Sequence, residues 1–196
     1  NRLFGLSAKH SRGLKFDLAV IAIVQIGMLC YGLYVLAQNR PVFVVATENG
    51  LNLVVAADLE PETLAQAPEQ WRRLSWTGPE WVGVRPPATA QERETRLLEW
   101  MQGKSAHLQP EYFAPFNQVW PDLRDRSAGP VAELLPGLDA GQMRRLRKAA
   151  GDTDPAGWRY VPIVNTLGAG AMVLIDSDGE PGAFVAIDSA YVVVDG

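Results

Sequence analysis

Two histidines, His10 and His107, and one cysteine, Cys30, are all the strong metal ligands in the chain. Zinc sites draw Cys and His from tight clusters, and no such cluster can be assembled here, so no metal is expected. A Ser–His–Asp device would need His107 as its base and Ser75 or Ser105 as its nucleophile. No GxSxG places either serine on a strand-to-helix elbow, so His107 reads as a surface histidine. Gly168-Ala169-Gly170 lacks the continuation that cradles a phosphate and reads as a β-connection. Asp176, Asp178 and Glu180 resemble calcium-loop ligands but lack the downstream glutamate, and a solvated hairpin turn is expected instead. The residues predict no enzyme, no cofactor and no small-molecule substrate.

Two groups of residues could bind something larger. Arg144, Arg145, Arg147 and Lys148 form a basic cluster on one predicted helix. Such a cluster is either a solvated face or a contact for anionic lipid or an acidic partner. Aromatic residues gather at Trp71, Trp76, Trp81, Trp100, Tyr112, Phe113, Phe116 and Trp120. Aromatics build cores first, yet Trp and Tyr also dominate binding hot spots, so some of these are expected to line a groove. The net charge of −4 gives no footprint for nucleic acid.

The elements that must hold these residues begin with a greasy run. From Leu18 to Ala37 the only strongly polar side chain is Gln25. A helix of that length covers about 30 Å, the thickness of a bilayer core. Lys9, His10, Arg12 and Lys15 precede the run, Tyr31 and Tyr34 sit near its far end, and Arg40-Pro41 closes it. This flank bias predicts a basic cytoplasmic stub over 1–15, a transmembrane helix over 16–38 and an outside domain over 39–196. Two other readings compete: a signal peptide cut after Val35-Leu36-Ala37, and a pilin-type helix cut after Gly13. The first needs a shorter apolar stretch. The second has the wrong spacing to Phe16 and Asp17, and a helix that stops at Pro41. Within the span, Gln25 shares a face with Leu29 and Gly32, a combination suited to contact with another membrane helix.

Beyond Arg40 the pattern alternates. Val42–Ala46 and Leu51–Val55 around Asn49-Gly50 predict a hairpin with a type I′ turn. Pro61–Ala67 reads as a short helix and Trp81–Val84 as a strand. Thr89 with Glu92 forms a capping box opening a helix to Met101, stopped by Gly103. Leu97, Leu98 and Met101 are expected to face the core there, with Arg93, Glu94 and Arg96 facing water. Asp139 with Gln142 opens another helix to Ala150, ended by Gly151. Residues 160–164, 171–175 and 183–187 read as strands, the last two joined at Asp178-Gly179, and 126–138 as a mobile loop. The sum is an α+β domain with a mainly antiparallel sheet and two or three helices.

Several stretches resemble one family. Lys15–Ile21, Gln25, Tyr31-Gly32-Leu33 and Arg40-Pro41-Val42 are similar to the last transmembrane segment of the TfpX/TfpZ (FimB-like) type IV pilin accessory proteins. The likeness continues through Val54–Leu59, Arg72–Pro79 with its Trp76-Thr77-Gly78-Pro79, and Arg159–Pro162. It implies a non-catalytic inner-membrane helper, with its C-terminal domain in the periplasm, that binds its cognate type IV pilin and promotes or regulates pilus assembly. It also implies further transmembrane helices before this one. The family's aspartate–proline–tryptophan ending is replaced here by Asp188-Ser189-Ala190-Tyr191. Gln25, Leu29, Gly32 and Trp76 are then the candidate partner-binding residues. A minor pilin or pseudopilin is the alternative.

Overall fold

The computed structural model describes residues 4–151, 154–164, 170–176 and 179–187, with side chains from Lys15 onward except Val164. The chain divides into two units, Asn1–Arg40 and Pro41–Gly196.

The first unit is one helix, α1 (Phe4–Gln38). Its Lys15–Gln38 portion is long and apolar enough to cross a membrane. Where the helix ends, its last carbonyls need partners. The Asn39 side chain donates to the Val35 carbonyl at 2.9 Å, and Arg40 donates to that of Ala37. Pro41, without an N–H, follows at once.

The second unit is built on a mixed sheet. Its strands are β1 (Pro41–Thr47), β2 (Gly50–Val55), β3 (Glu80–Val84), β4 (Phe113–Pro115), β5 (Gly129–Pro130), β6 (Arg159–Val164), β7 (Ala171–Ile175) and β8 (Pro181–Ala186). The order is β4-β3-β1-β2-β6-β7-β8, with β5 on β6. β1 pairs with β3 and β2 with β6 in parallel; the other pairings are antiparallel. Among the described residues, four α-helices accompany the sheet: α2 (Pro61–Gln66), α3 (Ala90–Met101), α4 (Phe116–Ser127) and α5 (Ala140–Ala150). The α+β class expected from the sequence is the one observed.

β1 explains the core. Val42 through Ala46 are fully buried, the continuous apolar run of a strand covered on both faces. Phe43 and Val45 face a cluster with Val82, Trp71 and Phe113. Val44 and Ala46 face the opposite cluster, where Trp120 and Leu123 of α4 lie. Aromatic rings fill that second face: Trp81 meets Phe116 edge-on at 5.0 Å, and Phe116 stacks on Trp120 at 5.2 Å. α5 closes a third cluster by setting Leu146 among Met172, Leu174 and Val185.

Several local expectations change. The β1–β2 turn consists of Glu48 and Asn49, because Thr47 pairs with Gly50. Only glycines adopt positive φ among the described residues, so Asn49 does not form a type I′ turn. Thr47 Oγ1 donates to the Gly50 carbonyl at 3.0 Å, and Asn52 Nδ2 donates to Thr47 Oγ1 at 3.1 Å, which fixes the turn one residue earlier. The 126–138 stretch is not a loose loop. It holds β5 and short 3-10 turns, with Val131 and Leu134 buried. The Asp139–Gln142 capping box forms with both halves. Asp178 and Asp188–Tyr191 lie outside the described residues.

α4 approaches β3 closely because residue 83 has no side chain. A Cβ at Gly83 would lie 2.6 Å from the Val119 Cβ, and overpacking of this kind costs typically about 1–3 kcal/mol. Gly83→Ala is expected to lower the unfolding free energy of the detergent-solubilised chain by that amount. Gly157→Ala, where a Cβ meets nothing within 4 Å, is expected to leave it nearly unchanged.

Candidate interaction surface

α3 starts as the sequence suggests and then packs in the opposite sense. Thr89 Oγ1 accepts from the Glu92 N–H at 3.1 Å. The Glu92 carboxylate does not return to Thr89, so the box is half made. Its Oε2 accepts instead from the Ala88 N–H at 2.8 Å and from Arg85 at 3.1 Å, and its Oε1 lies 2.8 Å from Arg85 and 2.7 Å from Arg96. Arg96 also donates to the Arg85 carbonyl at 2.7 Å and lays its guanidinium over the Tyr112 ring at 3.9 Å. The Arg96 Nε is buried without an acceptor, a position the ring face makes tolerable. Tyr112 donates to Glu99 at 3.2 Å. Glu92, Arg96 and Glu99, at i, i+4 and i+7, are therefore the anchoring face of α3.

Because the polar stripe points inward, the apolar one points out. Leu97, Leu98, Trp100 and Met101 are exposed, and no residue of α3 is buried. This reverses the expectation for Leu97, Leu98, Met101 and Arg96; Arg93 and Glu94 do face solvent. Four large apolar side chains, each worth about 1.5–3 kcal/mol when buried, are left uncovered by the sheet unit. Adjacent outward-facing apolar side chains of this size mark an interaction surface.

The other candidates separate cleanly. Trp71, Trp81, Phe113, Phe116 and Trp120 belong to the packed clusters, whereas Trp76 is 74% exposed in the segment leading to β3. Arg144, Arg145, Arg147 and Lys148 are all exposed on α5. Arg145 and Lys148 border an open groove of about 330 Å³ floored by Ala183–Ala186 of β8. In α1, Gln25, Leu29 and Gly32 are exposed, and a Cβ at Gly32 would meet nothing within 4 Å. Chemistry stays sparse: His107 is half-buried on a 3-10 turn, burial lowers its pKa against the pull of Asp58, and it lines no described groove. No group of three metal-ligating side chains occurs among the described residues.

Sequence comparison adds one likeness. This chain is similar to fimbrial assembly proteins. Those of serogroup E1 and serogroup I of Dichelobacter nodosus are each 25% identical to it over 177 residues, covering 88% of this chain and 68% of the relative. Coverage that broad takes in part of α1 as well as the sheet unit. No protein family and no solved structure matches the chain.

The α3 anchor has a pH signature. Hydrogen bonds from Arg85, the Ala88 N–H and Arg96 hold the Glu92 pKa at about 2, against the usual 4.5. An acid whose pKa is depressed by folding stabilises the fold above its unfolded value, and that contribution disappears as pH falls through the folded value. Unfolding curves of wild type and Glu92→Gln are therefore expected to differ most above pH 4.5 and to converge toward pH 2. A gap that is constant with pH would remove the ionised anchor.

Proposed function

We propose that this protein is a non-catalytic accessory factor of type IV pilus assembly, anchored in the bacterial inner membrane by α1, with its sheet unit in the periplasm. The observation that carries the reading is the likeness to fimbrial assembly proteins along both units. Physical features support it: a membrane-length helix, a sheet unit with an apolar helix face turned outward, and no metal-ligand cluster among the described residues. The partner proposed is the cognate pilin. Gln25, Leu29 and Gly32 form the membrane half of the contact, a side-chain amide beside a small residue, the pattern by which membrane helices associate.

The cations of α5 are proposed to meet an acidic partner rather than lipid. Of these, Arg145 and Lys148 border β8 near Ala186, whose ladder register runs through Ala171, Ile163 and Leu51 to Ala46, beside the β1–β2 turn and away from Pro41. A role as minor pilin is disfavoured by α1 itself, which stops at Gln38 with β1 beginning at Pro41.

Affinity purification from pilus-producing cells tests the pilin contact. Losing an interhelical hydrogen bond worth about 1–2 kcal/mol is expected to reduce pilin recovery about fivefold or more in Gln25→Leu/Gly32→Leu. Undiminished recovery would eliminate the membrane half of the proposal.

A further inference from the structure

We propose that the outer edge of β8 receives an extended acidic segment of another protein, paired main chain to main chain with β8 while Arg145 and Lys148 of α5 hold its carboxylates. This rests on the reading of the α5 cations as a contact for an acidic partner, and adds how that partner is held. It does not depend on α1 or on where the sheet unit lies relative to it.

The ladder supplies the first argument. β8 ends the strand order, and among the described residues no strand pairs with its far side. Ala186 stands opposite Ala171, Val185 opposite Met172 and Phe184 opposite Val173. One step further, the Ile187 N–H donates to the Gly170 carbonyl at 3.0 Å. Opposed residues in an antiparallel pair alternate between those that exchange hydrogen bonds and those that do not. Ile187 and Val185 therefore direct their N–H and C=O groups at β7, while Phe184 and Ala186 direct theirs away from it. Phe184 and Ala186 are exposed, whereas Val185 and Ile187 are buried. Outward main-chain donors and acceptors on a sheet edge are a template for one more strand.

The contrast between the two edges supplies the second. Folded proteins blunt open edges with charge, proline or shortness. The opposite edge is blunted: β4 has 3 residues, ends in Pro115 and passes directly into α4. β8 has 6 residues, with proline only at its first position, and no charged side chain follows as far as Ile187. It is also held on both faces. Val185 belongs to the cluster with Leu146 and Met172, and the Phe184 ring lies 5.3 Å from that of Trp81. A strand fixed in this way is ordered before a partner arrives, which lowers the cost of binding.

Charge selects the occupant. The groove between α5 and β8 is floored by Ala183–Ala186 and bordered by Arg145 and Lys148, which are three residues apart on one helix face. Neither forms a salt bridge among the described residues. Side chains of an extended strand point alternately to the two faces of a sheet. In a strand added beside β8, every second side chain lies on the face that Val185 shares with Leu146 of α5. Carboxylates at those positions meet a guanidinium and an ammonium group.

The probe is a fluorescent synthetic peptide as long as β8, of alternating glutamate and threonine. The full chain in detergent is titrated into it at low salt and binding is read by anisotropy. Wild type is expected to bind this peptide, and not one with lysine in place of glutamate. Arg145→Glu/Lys148→Glu is expected to weaken binding about tenfold, a difference that added salt narrows. Methylating every second peptide nitrogen removes main-chain donors and keeps the charge. One phase of methylation is expected to weaken binding about tenfold and the other to change it little. Ala186→Pro removes an outward N–H and no bond to β7; it is expected to melt like wild type and bind about fivefold more weakly. Equal effects of the two phases, with the charge variant still weak, overturn the strand pairing and leave the acidic contact standing. A peptide that does not bind, or a lysine peptide that binds equally, overturns both. A chain ending at Ile187 that binds where the full chain does not assigns the edge to residues 188–196. A full chain that is dimeric until Ala186→Pro assigns it to a second copy, and either result overturns the inference.

Discussion

Arg96 determines how the sheet unit presents itself. Its guanidinium is held in three ways at once, by the Glu92 carboxylate, the Arg85 carbonyl and the Tyr112 ring. Each hydrogen bond to a charged group is worth about 1.5–3 kcal/mol, and the three contacts share one orientation of α3. A helix fixed along its polar stripe cannot also turn its leucines to the sheet. Everything that makes α3 an interaction surface follows from that choice. The same network ties the helix to both β3 and β4, because the Arg85 N–H donates to the Tyr112 carbonyl at 3.0 Å. A shift of α3 would therefore disturb the sheet edge as well.

The division of labour in the molecule is physical. β1 is buried on both faces and forms the rigid centre of the sheet unit; two residues after the membrane-length helix, the chain is already in it. A rigid sheet and an outward apolar helix face are the features of this unit that offer a surface for contact. Among the described residues no group of three metal-ligating side chains accompanies them.

The strands were legible because their signals are local. Val42–Ala46, Leu51–Val55 and Ala171–Ile175 are β-branched or apolar runs bounded by turn residues, and they occupy the sheet where the pattern puts them. α5 was legible through its Asp139–Gln142 box. α4 was not, since Pro121 lies inside it and Pro115 just before it, and both argue locally against a helix. Only packing on Val44, Trp81 and Gly83 overrides them. The phase of α3 was misread because Leu97, Leu98 and Met101 carry the spacing of a core stripe. What inverts it lies elsewhere in the chain, in the ring of Tyr112 and the carbonyl of Arg85. The Glu92–Arg96 pair at i, i+4 was the available hint, but such pairs usually decorate solvent faces.

Reciprocal substitutions on α3 test the inversion most directly. Chemical unfolding of the full chain in detergent is the measurement, applied to Arg96→Leu and Leu98→Gln. Loss of the anchor is expected to cost Arg96→Leu about 1.5–3 kcal/mol, while Leu98→Gln, a substitution on an exposed face, stays within about 0.5 kcal/mol of wild type. The reverse order, with Leu98→Gln the damaging change and Arg96→Leu neutral or stabilising, would mean that the apolar stripe faces the sheet and that the surface described here does not exist.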